Sequence, residues 1–239
     1  MSNDNCPGVV RVVALETSGR FGSIAAVSVE ASQVKVLSNL SLPKDKRAAQ
    51  TIIPSINNLL ENSGWQVSEL DMICATTGPG SFTGLRIGVT TAKTLAYAIG
   101  AKLIGVHTLA AMASTIDSLD KRIWAVLDAQ RNELFAACFQ PGVHKCDGHL
   151  PETLVIGADD FLGRLRPGDI VLGPPLSKLS EKLPEGVLPA DASLWYPTAE
   201  AVARLGIAAL EHGEVSDPMQ FVPHYYRLSA AEEKARARH

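Results

Sequence analysis

The stretch GPGSFTGLRIG, residues 78–88, decides how the rest of the chain reads. An apolar run from Met72 to Ala75 leads into it and a long helical pattern leaves it, so the context is strand, glycine turn, helix. Three glycines and a proline within residues 78–84 let the backbone turn tightly and come close to another group. The amides that open the following helix point into that turn, where an anion is stabilised. Arg86 opposes the helix dipole there by about 0.3–1 kcal/mol if exposed, and so calls for an acidic partner or an anionic ligand. Two phosphate motifs fail on spacing. Gly78, Gly80 and Gly84 give G-x-G-x-x-x-G in place of G-x-G-x-x-G, and Gly84 is followed by Leu85-Arg86 where a Walker loop has Lys-Ser/Thr. Ser81 is no nucleophile elbow, because Pro79 and Thr83 stand where glycines are needed.

Along the helix after the turn, residues 82–99, Gly84, Gly88, Ala92 and Ala96 recur every four positions as a stripe of small side chains. An interior glycine costs about 1 kcal/mol relative to alanine, so the stripe implies close approach of another backbone. That neighbour is either the sheet of the same subunit or a helix of a partner. Upstream, residues 9–15 form a nearly continuous apolar strand ending in the polar turn Glu16-Thr17-Ser18-Gly19, and residues 22–29 and 34–40 continue it as an antiparallel meander. Residues 43–50 form a polar loop with Lys44, Lys46 and Arg47. Ile52, Ile53, Ile56, Leu59 and Leu60 line one face of a helix over 51–63, where Pro54 is tolerated if Thr51 is the N-cap and kinks the helix if it starts earlier. Downstream come a strand over 102–106, a short helix over 109–119, a hairpin of 123–127 and 133–139 around a polar tip, a last short strand at 170–172, and a helix from the N-cap Thr198 to about Glu211. Each half thus gives a hairpin, then helix and strand, the second half degenerate. Residues 230–239 are charged and read as loosely ordered or weakly helical.

At 239 residues the chain suits one large domain or two small lobes, and its 46% hydrophobic and 20% charged residues are those of an ordinary globular protein. A net charge of −3 argues against a generally basic nucleic-acid binder but permits a local patch. Cys6, Cys74, Cys138 and Cys146 form no C-x-x-C pair, residues 1–7 carry no apolar signal core, and no apolar run approaches a membrane span, so a cytoplasmic protein is expected. None of the histidines forms a metal pair: His144 and His149 share a loop, while His107, His212, His224 and His239 are scattered. Glu16 and Asp128 each end a strand, where a nucleotide-bound magnesium is often reached through water, although capping of their own turns is the commoner role.

Several segments together resemble the TsaB (YeaZ) family. These are Glu16-Thr17-Ser18 after the first strand, Leu70-Asp71 before the central strand, GPGSFTGLRIG, the run Gly105-Val106-His107-Thr108-Leu109-Ala110-Ala111, Asp128-Ala129-Gln130-Arg131 and Tyr226-Arg227. The resemblance runs over most of the chain and is strongest between about 50 and 115. It implies an actin-like, heat-shock-ATPase-like α/β fold of two lobes with mixed sheets, divided as residues 1–106, 107–212 and a tail 213–239 that returns to the first lobe. It further implies a non-catalytic subunit that pairs with the paralogue TsaD, and through it with the ATPase TsaE, in making threonylcarbamoyladenosine beside the tRNA anticodon. Isolated copies would form a homodimer, tRNA would be met only through the complex, and ATP and magnesium only in the assembly. The paralogue's metal-binding histidine pair falls on Thr108 and Met112 here, which cannot replace imidazoles; the family's first Asp is Glu16, and a histidine before the first helix is Ala48. On this reading Ile53, Ile56, Leu60, Gly84, Leu85, Gly88, Val89, Ala92 and Ala96 form the partner interface. Glu16, Thr17, Ser18, Gly80, Ser81, Arg86 and Asp128 are the candidate nucleotide or anion contacts. An ATPase or sugar-kinase-like enzyme using the same turns is the alternative, and a metallopeptidase a remote one.

Overall fold

The computed structural model describes residues 8–43, 48–118, 120–141 and 152–227. Lys44, Lys46 and Arg47, Cys6 and Cys146, His144, His149 and His239, and the charged 230–239 segment lie outside the described residues.

Two five-stranded mixed sheets carry the chain. The first contains β1 (Val10–Glu16), β2 (Ser23–Glu30), β3 (Gln33–Ser41), β4 (Met72–Gly78) and β5 (Lys102–His107), in the order β3-β2-β1-β4-β5. The hairpin strands pair antiparallel, and β1, β4 and β5 run parallel. The second contains β6 (Ile123–Gln130), β7 (Glu133–Phe139), β8 (Leu154–Gly157), β9 (Ile170–Leu172) and β10 (Leu188–Pro189), in the order β10-β9-β6-β7-β8. Taken from its own first strand, that is the same topology again, with most of its strands shorter. The echo between the halves is therefore a repeated fold unit. The reading that ended the strands at 170–172 missed β8 and β10, whose few residues carry no measurable period.

Helices complete each unit: α1 (Ala48–Ser63), α2 (Phe82–Ile99) and α3 (Thr108–Ala113) in the first, α4 (Ala158–Leu162), α5 (Leu176–Leu179) and α6 (Ala199–Glu211) in the second. Three hydrophobic clusters show how they stack. One outer cluster joins the first sheet to α1 and α2 through Val13, Leu15, Ile73, Ile56, Leu59, Val89 and Ala92. The other joins the second sheet to α4 and α5 around Phe161 and Leu176. The largest lies between the sheets and takes Val12, Ala14 and Cys74 from the first, Ala125 and Ala137 from the second, and α3 and α6 as its filling. Strands β1 and β4 are thus covered on both faces, which is why they read as nearly continuous apolar runs.

The last helix departs from the expected division. Assigned to the 107–212 lobe, α6 packs chiefly on β1, β2 and β5 of the first sheet. It can do so because Gly206 lies against the Cys74 side chain, with only 2.3 Å from Sγ to where a Cβ would stand. Helix α1 begins at Ala48, three residues ahead of the expected cap, so Pro54 lies inside it and withholds one ladder hydrogen bond. Helix α3 ends at Ala113, short of the expected 119. After α6 an extended strap crosses the first unit. Ser216 N donates to Leu103 O and His224 N to Thr77 O, both at 2.8 Å, and Phe221 is buried against Gly105.

Candidate functional site

The glycine turn keeps its promise of close approach, and what approaches is the chain itself. Ser81 caps α2 by accepting from Gly84 N at 3.2 Å, while its own N–H donates to Ser18 O at 2.6 Å. A Cβ at Gly84 would stand 2.0 Å from Thr17 O, and one at Gly88 2.1 Å from Thr17 Oγ1. The α2 N-terminus, where an anion was expected, is filled by the backbone of the β1–β2 turn.

That placement corrects the interface reading. Ile56, Leu60, Leu85, Gly88, Val89, Ala92 and Ala96 are buried in the first unit, and Gly84 is closed off by Thr17. The small stripe serves the same subunit's own turn and sheet. Of the nine residues only Ile53 faces outward, 48% exposed, with Tyr97 of α2 at 70% as an outward residue the sequence reading had passed over.

The candidate anion contacts separate into two sets. Ser18, Gly80, Ser81 and Asp128 line a cleft of about 1090 Å³ between the β1–β2 turn, the start of α2, the β6–β7 turn and the strap. Glu16 and Thr17 are buried. Glu16 Oε1 accepts from Ser18 N at 2.7 Å and from Ser18 Oγ at 2.5 Å, so the carboxylate caps its own turn. Burial outweighs these bonds and pushes its pKa up to about 7. Asp128 does the same job across the cleft, its Oδ1 accepting from Gln130 N at 2.7 Å. Glu16 is thus closed off from the cleft, whereas Asp128 is exposed on its wall.

Among the described residues Arg86 pairs with no acid. Its Nε donates to Tyr225 OH at 3.0 Å and its guanidinium lies 4.1 Å from the centre of the Phe82 ring, which stacks on Tyr225 at 4.4 Å. A cation–π contact of about 0.5–1 kcal/mol at an exposed site is enough to offset the helix-dipole penalty. No periodic signal announces this cluster, because Tyr225 comes from the strap, 139 residues away.

His107 is buried, and its Nδ1 accepts from Ala110 N at 3.4 Å to cap α3 while Nε2 lies 2.8 Å from Thr153 Oγ1. An accepting Nδ1 leaves the proton on Nε2, which donates to Thr153. Burial first, then the nearby His224, lowers the His107 pKa to about 3 and keeps it neutral. The Tyr226-Arg227 pair ties the strap to the second unit. Tyr226 packs edge-on to His107 and Phe135, and Arg227 donates to Ala129 O at 2.6 Å and pairs with Glu133 at 2.9 Å. Thr108 and Met112, at the positions of the paralogue's histidines, are both fully buried. They do not fit a metal, and among the described residues no cluster of His, Cys, Asp and Glu is placed to hold one. Among those residues, too, no helix is long and apolar enough to cross a membrane.

Comparison with known proteins bears on this geometry. A family model described as TsaD, tRNA N6-adenosine threonylcarbamoyltransferase, matches residues 35–169. The chain is 29% identical over 231 residues, 93% of its own length and 96% of the relative's, to the tRNA threonylcarbamoyladenosine biosynthesis protein TsaB of Bacillus subtilis (strain 168). To the protein of the same description in Escherichia coli (strain K12) it is 36% identical over 93 residues, 38% of this chain and 40% of that one. Among solved structures, YeaZ from Pseudomonas aeruginosa superposes with a TM-score of 0.73 at 25% identity, covering 90% of this chain and 99% of that one.

Proposed function

The chain belongs to the TsaB (YeaZ) family, a branch of the wider family that the threonylcarbamoyltransferase model describes, and on that premise we propose that it is a non-catalytic subunit in the synthesis of threonylcarbamoyladenosine on tRNA. Its partner is the TsaD paralogue, and through TsaD the ATPase TsaE, in the cytoplasm. A second copy takes the partner's place when the chain is alone. ATP and magnesium enter with the assembled complex.

The observation that carries the reading is the self-filled turn. At the α2 N-terminus Ser81 N donates to Ser18 O and Thr17 packs against Gly84 and Gly88, while Glu16 is buried and caps Ser18 through Oε1, so the turn is closed in by its own chain where a phosphate would have to approach. The same observation counts against the ATPase alternative. For the partner surface, the outer faces of α1 and α2 take over from the buried stripe, with Ile53 and Tyr97 as the exposed apolar residues available for burial.

Reconstitution tests the proposal. Purified TsaD, TsaE, tRNA and substrates should form the modified nucleoside only when this chain is added, and the chain without TsaD should form none. Activity of this chain without TsaD would end the non-catalytic reading, and a reaction indifferent to its presence would end the subunit reading. Titration of the isolated chain with ATP and magnesium should release little or no heat.

A further inference from the structure

We propose that the cleft between the two units binds unpaired nucleotides of a single-stranded RNA, their bases stacked on its aromatic walls and their phosphates beside its arginines. The choice of RNA rests on the tRNA reading above; the site itself rests on what lines the cleft.

The walls carry two aromatic pairs. Phe21 and Tyr196 meet edge-to-face at 5.2 Å, and Phe82 and Tyr225 stack at 4.4 Å with ring planes 24° apart. All four rings line the cleft. In each pair the inner ring supports an outer one that stays in contact with solvent, Tyr196 at 36% and Tyr225 at 44% exposure. An aromatic ring held rigid from behind and open in front is what a base stacks on, without regard to which base it is.

Charge agrees with this. The chain as a whole carries −3, yet the lining includes Arg20, Arg131 and Arg227 with Asp128 as its one carboxylate among the described residues. Arg227 is engaged with Ala129 and Glu133 and fixes the shape of the β6–β7 turn. Arg20 is exposed and lies 5.7 Å from the centre of the Phe21 ring, where a phosphate attached to a base stacked nearby would meet it. Such a local basic site is the one nucleic-acid surface that a net acidic chain permits.

The chemistry of the lining favours a strand over a free nucleotide. At about 1090 Å³ the cleft is large enough for either. In the glycine turn Ser81 N donates to Ser18 O and Gly84 N to Ser81 Oγ, so the cleft's recognition elements are chiefly ring faces and guanidiniums, those of single-strand sites.

Fluorescence anisotropy with a labelled single-stranded RNA of about a dozen nucleotides, spanning a typical single-strand site, reads the proposal on the intact isolated chain. Tyr196→Ala and Tyr225→Ala should each weaken binding roughly ten-fold. Arg20→Ala should lower the slope of log affinity against log salt by about 0.7. Urea midpoints equal to that of the wild type would show that the variants are folded. Absence of binding at low salt, affinities unchanged in all three variants, tighter or equal binding of the matching DNA, or uptake of free AMP without the strand each overturns the proposal. A wild type that binds the strand but fails in the reconstituted reaction removes the functional reading and leaves the site standing. A wild type that supports the reaction but binds no strand removes the site alone.

Discussion

Replacing Gly88 by alanine tests whether the small stripe of α2 belongs to the subunit's own interior. The added Cβ would lie 2.1 Å from Thr17 Oγ1 and 3.3 Å from Thr17 Cβ and Cγ2, where ordinary contact is 3.4 Å or more. Overpacking of this kind costs about 1–3 kcal/mol, and so deep an overlap belongs at the upper end. Alanine is worth about 1 kcal/mol over glycine inside a helix, so the net loss should be about 2 kcal/mol. With a slope of about 2 kcal/mol per molar urea, the midpoint should fall by roughly 1 M. Thr17→Ala is the partner variant. It removes a buried methyl worth about 0.8 kcal/mol and a hydroxyl that makes no hydrogen bond among the described residues, whose burial costs about 1–3 kcal/mol, so it should be close to neutral. In the double variant the clash disappears and stability should equal or slightly exceed that of the wild type, a coupling of about 3 kcal/mol. Urea titrations of the four proteins at two concentrations measure it. A coupling below about 0.5 kcal/mol, with Gly88→Ala instead weakening association, would mean that the stripe is an interface after all.

Three other perturbations read other parts of the fold. Glu16 has a raised pKa, so its protonated form favours the folded state; that contribution is complete below about 4.5 and lost as pH rises through about 7. Glu16→Gln, which keeps the acceptor for Ser18, should therefore be more stable than the wild type at pH 8 and lose that advantage towards pH 5, as melting temperatures across pH would reveal. Ile53→Glu and Tyr97→Glu should change stability by less than about 0.5 kcal/mol yet reduce co-elution with TsaD; unaltered co-elution of both would move the partner surface elsewhere. In the second unit the buried Asp169 accepts from Arg122 Nε at 2.8 Å, Trp124 Nε1 at 3.2 Å and Arg166 N at 2.9 Å. Asp169→Ala leaves Arg122 without its acid and should cost about 3–5 kcal/mol in a denaturant titration.

How much could be read in advance depended on the length scale of each signal. Helix α2 lies where the periodic pattern puts it, strand β9 where a short apolar run puts it, and the apolar run of β1, the meander through β2 and β3 and the Thr198 cap were equally plain. Long elements carry enough residues to reveal a period, whereas the four residues of β8 and the five of α4 do not. The glycines at 84 and 88 announced a close neighbour truthfully, but glycine is silent about which one; only the position of Thr17 answers that. Arg86 pointed to a compensating group, and the inference of an acid overlooked that an aromatic face also stabilises a guanidinium. The aromatic walls were out of reach because Phe21, Phe82, Tyr196 and Tyr225 sit on four separate segments that only the finished fold assembles.

The packing of α6 on the first sheet has a consequence for synthesis. The inner face of the first sheet is made early, yet α6 follows both sheets in the chain, so Val12, Ala14, Ala25 and Val27 wait without their cover. The first unit is thus a dependent half, like one protomer of a swapped pair whose other half happens to be encoded downstream. Nascent chains stalled before residue 199 should be cut quickly by protease within the first sheet, and chains long enough to release Glu211 should resist; early resistance would show that the half can stand alone. For the same reason, a gene split between the units should yield two insoluble fragments that become soluble when made together.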